Sequence, residues 1–495
     1  MKNYSDLTID AFKYLDIGDI ESAEDILKIL RKEKMTSELK YIMGALLIEI
    51  GTATQNMDYI NEGIKNFEEL ENNTPYAVDY NLGNGYYSKY KIMKDKPNYL
   101  TKNEHLLTKA KRHYLKSIAK VPIEQLELNY VNLGNTYDYV GRTLDALECY
   151  EKAPNNAYSR INKAIGLFVY STFHANTTPI LKDSYDCFKS VLEIPEIPVE
   201  FKTLCSEYMK SIENTCGKQM LEQENKKTLK RPSNDTLEGF MTNFCLDNKL
   251  YLNLCNFCQR CDNAIGDTVI IPNMIVKITD SLEDDPYLKL SSQLNQIKMD
   301  YATSRFLLML SQSESSLLNL MSKNMTLTLD LSYEENNTSV QLLKDSFAGF
   351  YNILDKISHL INIYFNLQKD PKHLNFRNIW NNKKGNINGK LSSLNNSGLS
   401  ALYDIHLELE KDNEKFYLRI LRNNLTHNFR PVKLFKMEEE DLTYEELKDS
   451  TIELAKIVKN AIIYLIRAIN INERKKYGRN KDKIIPKINS NVRKL

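Results

Sequence analysis

Residues 81–86 read Asn-Leu-Gly-Asn-Gly-Tyr, and residues 132–137 repeat the phrase as Asn-Leu-Gly-Asn-Thr-Tyr. The second copy is followed by Ala146 and Tyr150, which lie 12 and 16 residues after Gly134. Small residues allow two helices to approach closely, and an aromatic side chain fills the groove between them. Because the phrase recurs within this pattern, the sequence predicts an array of paired antiparallel helices.

This spacing resembles the tetratricopeptide repeat (TPR), whose first helix carries Leu-Gly-x-x-Tyr and whose second carries Ala-x-x-x-Phe/Tyr-x-x-Ala. Looser copies extend on both sides, so residues 1–216 are predicted to form a TPR-like α-solenoid of about five hairpins. The resemblance implies a concave face that holds a peptide, a partner protein or a neighbouring domain. Four asparagines are either contacts for such a ligand or solvated helix positions: Asn81, Asn84, Asn132 and Asn135.

Residues 217–284 begin as a polar, charged stretch and then become rich in β-branched residues, which predicts a linker followed by a small mixed α/β connector. Short strands are expected within residues 250–279, and another within residues 326–333. Four thiols in the connector could hold zinc, but they do not form the two separate Cys-x-x-Cys knuckles of a typical structural site. Burial as small apolar side chains is the alternative. These weak metal candidates are Cys245, Cys255, Cys258 and Cys261.

Residues 285–472 contain long apolar stripes with the periodicity of helices. The clearest stripe consists of Phe347, Phe350, Leu354, Ile357 and Ile361. Thr443, with Glu446 three residues later, is typical of a helix N-terminus. About four or five helices with short links predict a bundle. The predicted fold class is therefore mainly α: an α-solenoid, a small mixed connector and a helical bundle.

Residues 421–429 read Leu-Arg-Asn-Asn-Leu-Thr-His-Asn-Phe, which brings together Arg422, Asn423 and His427. The phrase resembles the Arg–polar–x(3)–His signature of the HEPN superfamily, all-helical domains of which many are ribonucleases. Other phrases look like the HEPN branch that is fused to TPR arrays. They are Leu-Asn-Gln-Ile-Lys at 294–298, Tyr-Ala-Thr-Ser-Arg at 301–305 and Phe-Tyr-Asn-Ile-Leu-Asp-Lys-Ile at 350–357.

The resemblance implies a metal-independent endoribonuclease, regulated or recruited through its repeats, in prokaryotic defence or toxin-like growth arrest. His427 would move protons, because imidazole titrates near neutrality, and Arg422 would bind phosphate oxygens. Asn423 would fix the imidazole or contact phosphate. The resemblance also implies a homodimer with a composite site. Such a dimer would accommodate Arg422 and His427, which lie about 140° apart on an ideal helix.

The alternative is a non-catalytic TPR scaffold or sensor whose HEPN-like domain dimerises or binds nucleotide or RNA. Three further polar residues on the predicted helices, Asp300, Asp355 and His359, are expected to be structural or solvated. Asp355 could instead support the catalytic pair. Residues 473–495 form a basic tail that either binds RNA phosphates or is solvated.

The net formal charge is +1, so a basic surface that binds RNA must be local. The N-terminus has no basic run followed by an apolar stretch, and the apolar runs are too short or too charged to span a bilayer. The eight cysteines are expected to be reduced thiols of a cytoplasmic protein without a membrane partner. No P-loop, His-Glu-x-x-His or Gly-x-Ser-x-Gly motif occurs, so no cofactor is expected.

Overall fold

A computed structural model describes most of the chain. The described residues are 4–71, 78–93, 104–171, 178–224, 229–255, 257, 262–271, 274, 286–313, 317–326, 333–382, 384–411 and 413–479. The helices up to residue 224 are α1 (Tyr4–Asp16), α2 (Ile20–Leu30), α3 (Ser37–Thr54), α4 (Met57–Leu70), α5 (Asp79–Met93), α6 (Glu104–Ile118), α7 (Ile123–Tyr139), α8 (Thr143–Glu151), α9 (Ala157–Ser171), α10 (Thr178–Leu192), α11 (Val199–Cys216) and α12 (Lys218–Glu224). The later helices are α13 (Leu237–Asp247), α14 (Pro286–Ser311), α15 (Leu317–Ser322), α16 (Thr338–Tyr364), α17 (Gly389–Ser392), α18 (Ser397–Glu408), α19 (Phe416–His427) and α20 (Tyr444–Arg479).

The predicted mainly α fold class is confirmed, since the described residues form helices and short 3-10 turns and hold only isolated β-bridges. The chain divides into two compact units. The first unit comprises residues 1–166 and 187–206, and the second comprises residues 167–186 and 207–495. The domain boundaries drawn from the sequence stay predictions. None of the described helices is both long enough and apolar enough to cross a membrane.

Contacts between glycines and aromatic rings hold helix pairs of the first unit together. A Cβ atom on Gly83 of α5 would lie 2.6 Å from the ring of Tyr114 in α6. A Cβ atom on Gly134 of α7 would lie 2.5 Å from the ring of Tyr150 in α8. These are the close contacts between small and aromatic residues that the duplicated phrase predicts. Assignment of the hairpins to the tetratricopeptide family stays a prediction.

The asparagines of the duplicated phrase form hydrogen bonds both within a hairpin and between hairpins. Asn84 Oδ1 accepts hydrogen bonds from the Tyr114 hydroxyl at 2.8 Å and from Asn132 Nδ2 at 3.0 Å. Asn135 Oδ1 accepts from the Tyr150 hydroxyl at 2.9 Å in the same way. Asn84, Asn132 and Asn135 are therefore not merely solvated positions, because their amides take part in contacts within the array.

The connector is helical and irregular where it is described, so the prediction of strands there is wrong for those residues. Side chains, rather than a β-ladder, satisfy the backbone groups. Asn253 Nδ2 donates to Ala264 O and Gly266 O, and Asp267 Oδ1 accepts from Leu252 N–H at 2.7 Å. Within the two stretches predicted to hold strands, residues 256, 258–261, 272–273, 275–279 and 327–332 lie outside the described residues.

The second unit contains a helical bundle in which α14 and α20 pack against α16, and α18 packs against α20. The predicted apolar stripe of α16 is fully buried. Asn396, the residue that precedes α18, donates a hydrogen bond from Nδ2 to Ala468 O of α20 at 2.8 Å. The predicted start of α20 is confirmed. Glu446 Oε2 accepts from Thr443 N–H at 3.0 Å, and Thr443 Oγ1 accepts from Glu446 N–H at 3.3 Å. This reciprocal pair satisfies two backbone N–H groups at the N-terminus of the helix.

Candidate active site

Helix α19 carries the Arg–His motif and ends at its histidine. Leu418 and Leu421 bury one side of the helix. His427 is the last helical residue, and Asn428 has an extended backbone with φ −127° and ψ 159°. The His427 side chain is exposed, so its imidazole is accessible to a substrate.

Arg422 and His427 contact each other within one chain. Arg422 Nη1 lies 3.4 Å from His427 Nε2. Guanidinium N–H groups can only donate, so the hydrogen bond requires an unprotonated Nε2 and places the proton of a neutral ring on Nδ1. The expected separation of about 140° does not keep the groups apart, because the long arginine side chain spans it. A second protomer is therefore not needed to bring these two groups together.

Asn423 contacts the arginine of the motif. Its Oδ1 accepts a hydrogen bond from Arg422 Nη1 at 3.2 Å, and the side chain is exposed. The amide thus orients the guanidinium in this structure, whereas the sequence interpretation placed it against the imidazole or a phosphate. Its Nδ2 group is still available to a substrate oxygen.

Tyr351 of α16 lies under the guanidinium of Arg422. The Arg422 Cζ atom is 5.6 Å from the centroid of the Tyr351 ring, which is within the range of a cation–π interaction. Burial, followed by the nearby carboxylate of Asp355, raises the pKa of Tyr351 to about 12, so the phenol is neutral at physiological pH. Arg422 Nε is buried and has no hydrogen-bond partner among the described residues. The sequence interpretation did not single out Tyr351.

Asp355 lies one helical turn beyond Tyr351. The backbone N–H of Phe376 donates to Asp355 Oδ1 at 2.9 Å. Burial raises the pKa of Asp355, while this hydrogen bond and the charges of Arg422 and His359 act in the opposite direction. A spacing of four residues separates Tyr351, Asp355 and His359. This spacing is the one signal in the sequence that places the three residues on a shared face of α16. The hydrogen bond to Phe376 gives Asp355 a structural contact, and its support of the catalytic pair stays a prediction.

Asp300, by contrast, has a structural role. Its carboxylate accepts a hydrogen bond from Gln296 within α14 at 3.0 Å, and it forms an ion pair with Lys356 of α16. The ion pair links two packed helices of the bundle. The expectation of a structural or solvated carboxylate agrees with these contacts.

A second cluster of charges lies near the site, around Glu410. Glu410 accepts from Arg377 Nε at 3.2 Å and from Arg419 Nη1 at 3.3 Å. His406 is buried and stacks on Trp380, with the ring centroids 6.2 Å apart. Burial and the two arginines lower the pKa of His406 to about 3, so this imidazole stays neutral and is unsuited to donate a proton near pH 7.

The predicted thiol cluster is only partly described. Cys245 and Cys255 are buried, and Cys258 and Cys261 lie outside the described residues. Burial raises the pKa of Cys245 to about 11, so the thiol stays protonated when no metal is bound. Zinc binds the thiolate form, which this environment disfavours. Zinc binding by these thiols stays an open prediction.

Among the described residues, Glu71, Asp79 and His113 bring three possible metal ligands within 4.8 Å of one another. Lysines already neutralise these carboxylates. Lys116 Nζ lies 3.1 Å from Glu71 Oε1, and Lys120 Nζ lies 2.7 Å from Asp79 Oδ2. The group is therefore an ion-pair cluster of the first unit.

Residues 281–472 match the family model described as LA2681-like HEPN. This part of the chain is therefore a HEPN-family domain, which confirms the family predicted for residues 285–472. The motif on α19 and its aromatic and acidic neighbours on α16 all lie within the match. No curated protein matches the chain significantly.

Proposed function

We propose that the HEPN-family domain is a metal-independent endoribonuclease whose catalytic residues are Arg422 and His427, with Asn423 in support. The observation that carries this proposal is the 3.4 Å contact between Arg422 Nη1 and the exposed His427 Nε2. It joins a fixed positive charge to an imidazole, the group that most often serves as general acid or base in catalysis. Both groups lie at the accessible end of a helix in a family known for ribonucleases and for nucleotide binding.

The chemistry uses the substrate's own 2′-hydroxyl. His427 Nε2 accepts the 2′-hydroxyl proton while the 2′-oxygen forms a bond to the adjacent phosphorus. The bond from phosphorus to the 5′-oxygen breaks, and an imidazolium donates a proton to that oxygen. This imidazolium is the one that His427 forms when it accepts the 2′-hydroxyl proton, so the histidine of one chain serves both steps. The products are a 2′,3′-cyclic phosphate, or its opened form, and a free 5′-hydroxyl.

Arg422 stabilises the negative charge that builds on the phosphate oxygens. Its planar guanidinium matches two such oxygens at once. The Tyr351 ring below it and the Asn423 amide beside it restrict the guanidinium before substrate binds. A group that is already oriented does not have to reorganise in the transition state, which is the main source of electrostatic catalysis.

The helical array of residues 1–216 would supply control. An array of hairpins catalyses nothing by itself, and its usual role is to bind a peptide or a protein on its concave face. In this role the array recruits or regulates the ribonuclease in a prokaryotic defence or growth-arrest system.

The test compares wild type with Arg422→Ala and His427→Ala on a labelled single-stranded RNA. Each variant should abolish cleavage while the domain stays folded, because neither side chain belongs to the apolar core. His373→Ala, an exposed histidine of the same domain, is the matched control and should retain activity. Cleavage should persist in EDTA and fail on RNA with 2′-deoxyribose at the cut site.

Heterodimers test whether the pair acts within one chain. In the first heterodimer one protomer carries Arg422→Ala and the other carries His427→Ala. In the second, one protomer is wild type and the other carries both substitutions. Both heterodimers therefore contain one Arg422 and one His427, but only the second has them in the same chain. Since the pair forms within a chain, the second heterodimer should be the more active. Robust cleavage by His427→Ala, or an absolute need for Mg²⁺, contradicts the mechanism. RNA or nucleotide binding without cleavage, with and without residues 1–216, would favour the non-catalytic alternative.

A further inference from the structure

A groove of about 610 Å³ lies between α19 and the first turns of α20. Tyr417 and Ile420 line it from α19, Glu439 and Glu440 from the segment between the helices, and Asp449 from α20. We refer to it as the acidic groove. Ile420 lies about 160° around α19 from Arg422, so the two side chains leave the helix on opposite sides.

The acidic groove carries an excess of negative charge. Six carboxylate side chains line it, against only two cations, Arg430 and Lys436. The side chains of Glu439, Glu440 and Asp449 form no hydrogen bond or ion pair with the described residues. Like charges repel, so this surface disfavours an RNA backbone and favours a cationic ligand.

Partly exposed apolar side chains lie in the groove wall and next to it in the chain. Tyr417 is 42% exposed and Ile420 is 45% exposed on the wall of the groove. Phe435 and Met437, on either side of the lining residue Lys436, are 49% and 64% exposed. Tyr417 and Ile420 give the groove an apolar wall beside its carboxylates, so a ligand with both basic and aliphatic side chains matches it.

One segment of this chain has that composition. Residues 480–495 read Asn-Lys-Asp-Lys-Ile-Ile-Pro-Lys-Ile-Asn-Ser-Asn-Val-Arg-Lys-Leu, with five basic residues, one acidic residue and five aliphatic ones. We propose that the acidic groove of one copy binds residues 480–495 of a second copy of the chain. Lysines and arginines of the segment meet the carboxylates, and its isoleucines cover the apolar wall.

The length of α20 is the reason for assigning the segment to a second copy. From Ser450, at the groove, to Arg479, at its C-terminal end, α20 rises about 44 Å. An extended chain covers at most about 3.4 Å per residue, so about 13 of the 16 residues would be used up in returning to the groove. Too few would remain to fill the groove, whereas the segment of a second copy has no such limit.

This inference does not depend on ribonuclease activity, so it is tested by binding alone. The receptor is the full chain in which the five basic residues of 480–495 are replaced by glutamine, which removes competition from its own segment. The probe is a fluorescein-labelled synthetic peptide of residues 480–495, followed by fluorescence anisotropy. We expect saturable binding that weakens as salt is raised. Absence of saturable binding at millimolar receptor overturns the proposal.

Charge reversal locates the site. Glu439→Lys, Glu440→Lys and Asp449→Lys together should weaken binding by at least about tenfold, since three charge pairs turn repulsive. The matched control reverses three exposed carboxylates elsewhere, Glu196, Glu200 and Asp345, and should change affinity less than about twofold, because only the net charge changes. Equal losses in the two triple variants overturn the proposal.

A compensating peptide completes the test. A peptide with Lys481→Glu, Lys483→Glu and Lys487→Glu should bind the reversed groove more tightly than it binds the original one. If it does not, the charge complementarity on which the proposal rests is wrong. Binding of the natural peptide to single-stranded RNA, combined with no effect of groove reversal, identifies the segment as an RNA-binding arm and also overturns the proposal.

Discussion

Replacing Tyr351 with leucine should slow RNA cleavage while the bundle stays folded. The guanidinium carbon of Arg422 lies 5.6 Å from the Tyr351 ring centroid, and Arg422 Nε is buried. A cation–π interaction contributes about 0.5–1 kcal/mol at exposed sites and about 2 kcal/mol when it is desolvated. The partial burial of Arg422 places this contact at about 1–2 kcal/mol by the same scale. That energy corresponds to a decrease of about 5- to 30-fold in rate.

The loss should fall on kcat. Arg422 meets charge that builds in the transition state, so a misplaced guanidinium lowers kcat with little change in KM. Tyr351→Phe is the matched control: the Tyr351 hydroxyl makes no hydrogen bond with the described residues, and phenylalanine keeps the ring face. Multiple-turnover kinetics with a labelled RNA, together with thermal melting, measure both effects. Equal losses in the leucine and phenylalanine variants, or a rise in KM at constant kcat, would refute the reasoning.

Three further predictions concern stability and metal content. Gly134→Ala, whose new Cβ would lie 2.5 Å from the Tyr150 ring, should destabilise the first unit by about 1–3 kcal/mol, whereas Gly389→Ala, with open space around it, should leave melting unchanged. The lowered pKa of His406, about 3, lies below the value of about 6.5 in the unfolded chain. The contribution of neutral His406 to the free energy of unfolding is therefore complete above pH 6.5. It falls by about 1.4 kcal/mol per pH unit as the pH drops from 6.5 toward 3. The melting temperature of His406→Phe should therefore depend less on pH than that of wild type between pH 7 and pH 5. Protein purified without added metal should hold less than one zinc per protomer, and stoichiometric zinc lost on mutating Cys255 and Cys258 would reverse that expectation.

The features that could be predicted from the sequence are those encoded by residues close together in the chain. The apolar stripe of α16 follows from spacings of three and four residues, and the start of α20 follows from Thr443 and Glu446. The contact of Gly134 with Tyr150 was also predictable, because both residues belong to one hairpin. In each case the partners lie within about twenty residues of each other, so a pattern of spacing is enough to identify them.

Features that depend on distant partners could not be predicted in this way. Tyr351 and Arg422 are separated by about seventy residues, and only the packing of α16 on α19 brings them together. The β-branched residues of the connector predicted strands, but Asn253 and Asp267 bind the backbone groups that a ladder would have used. Tertiary context overrides local preference at such places.

The relation between Arg422 and His427 shows why helical angles alone do not decide which groups form a site. Angular separation describes where side chains leave the helix, and for short side chains it also decides which of them meet. An arginine has a long, flexible side chain, so its guanidinium is not confined to the direction of its Cβ atom. His427 is the last helical residue, and the chain turns away after it, so no further helical turn covers its imidazole. A dimer can therefore add groups to this site, but it does not have to assemble the Arg–His pair.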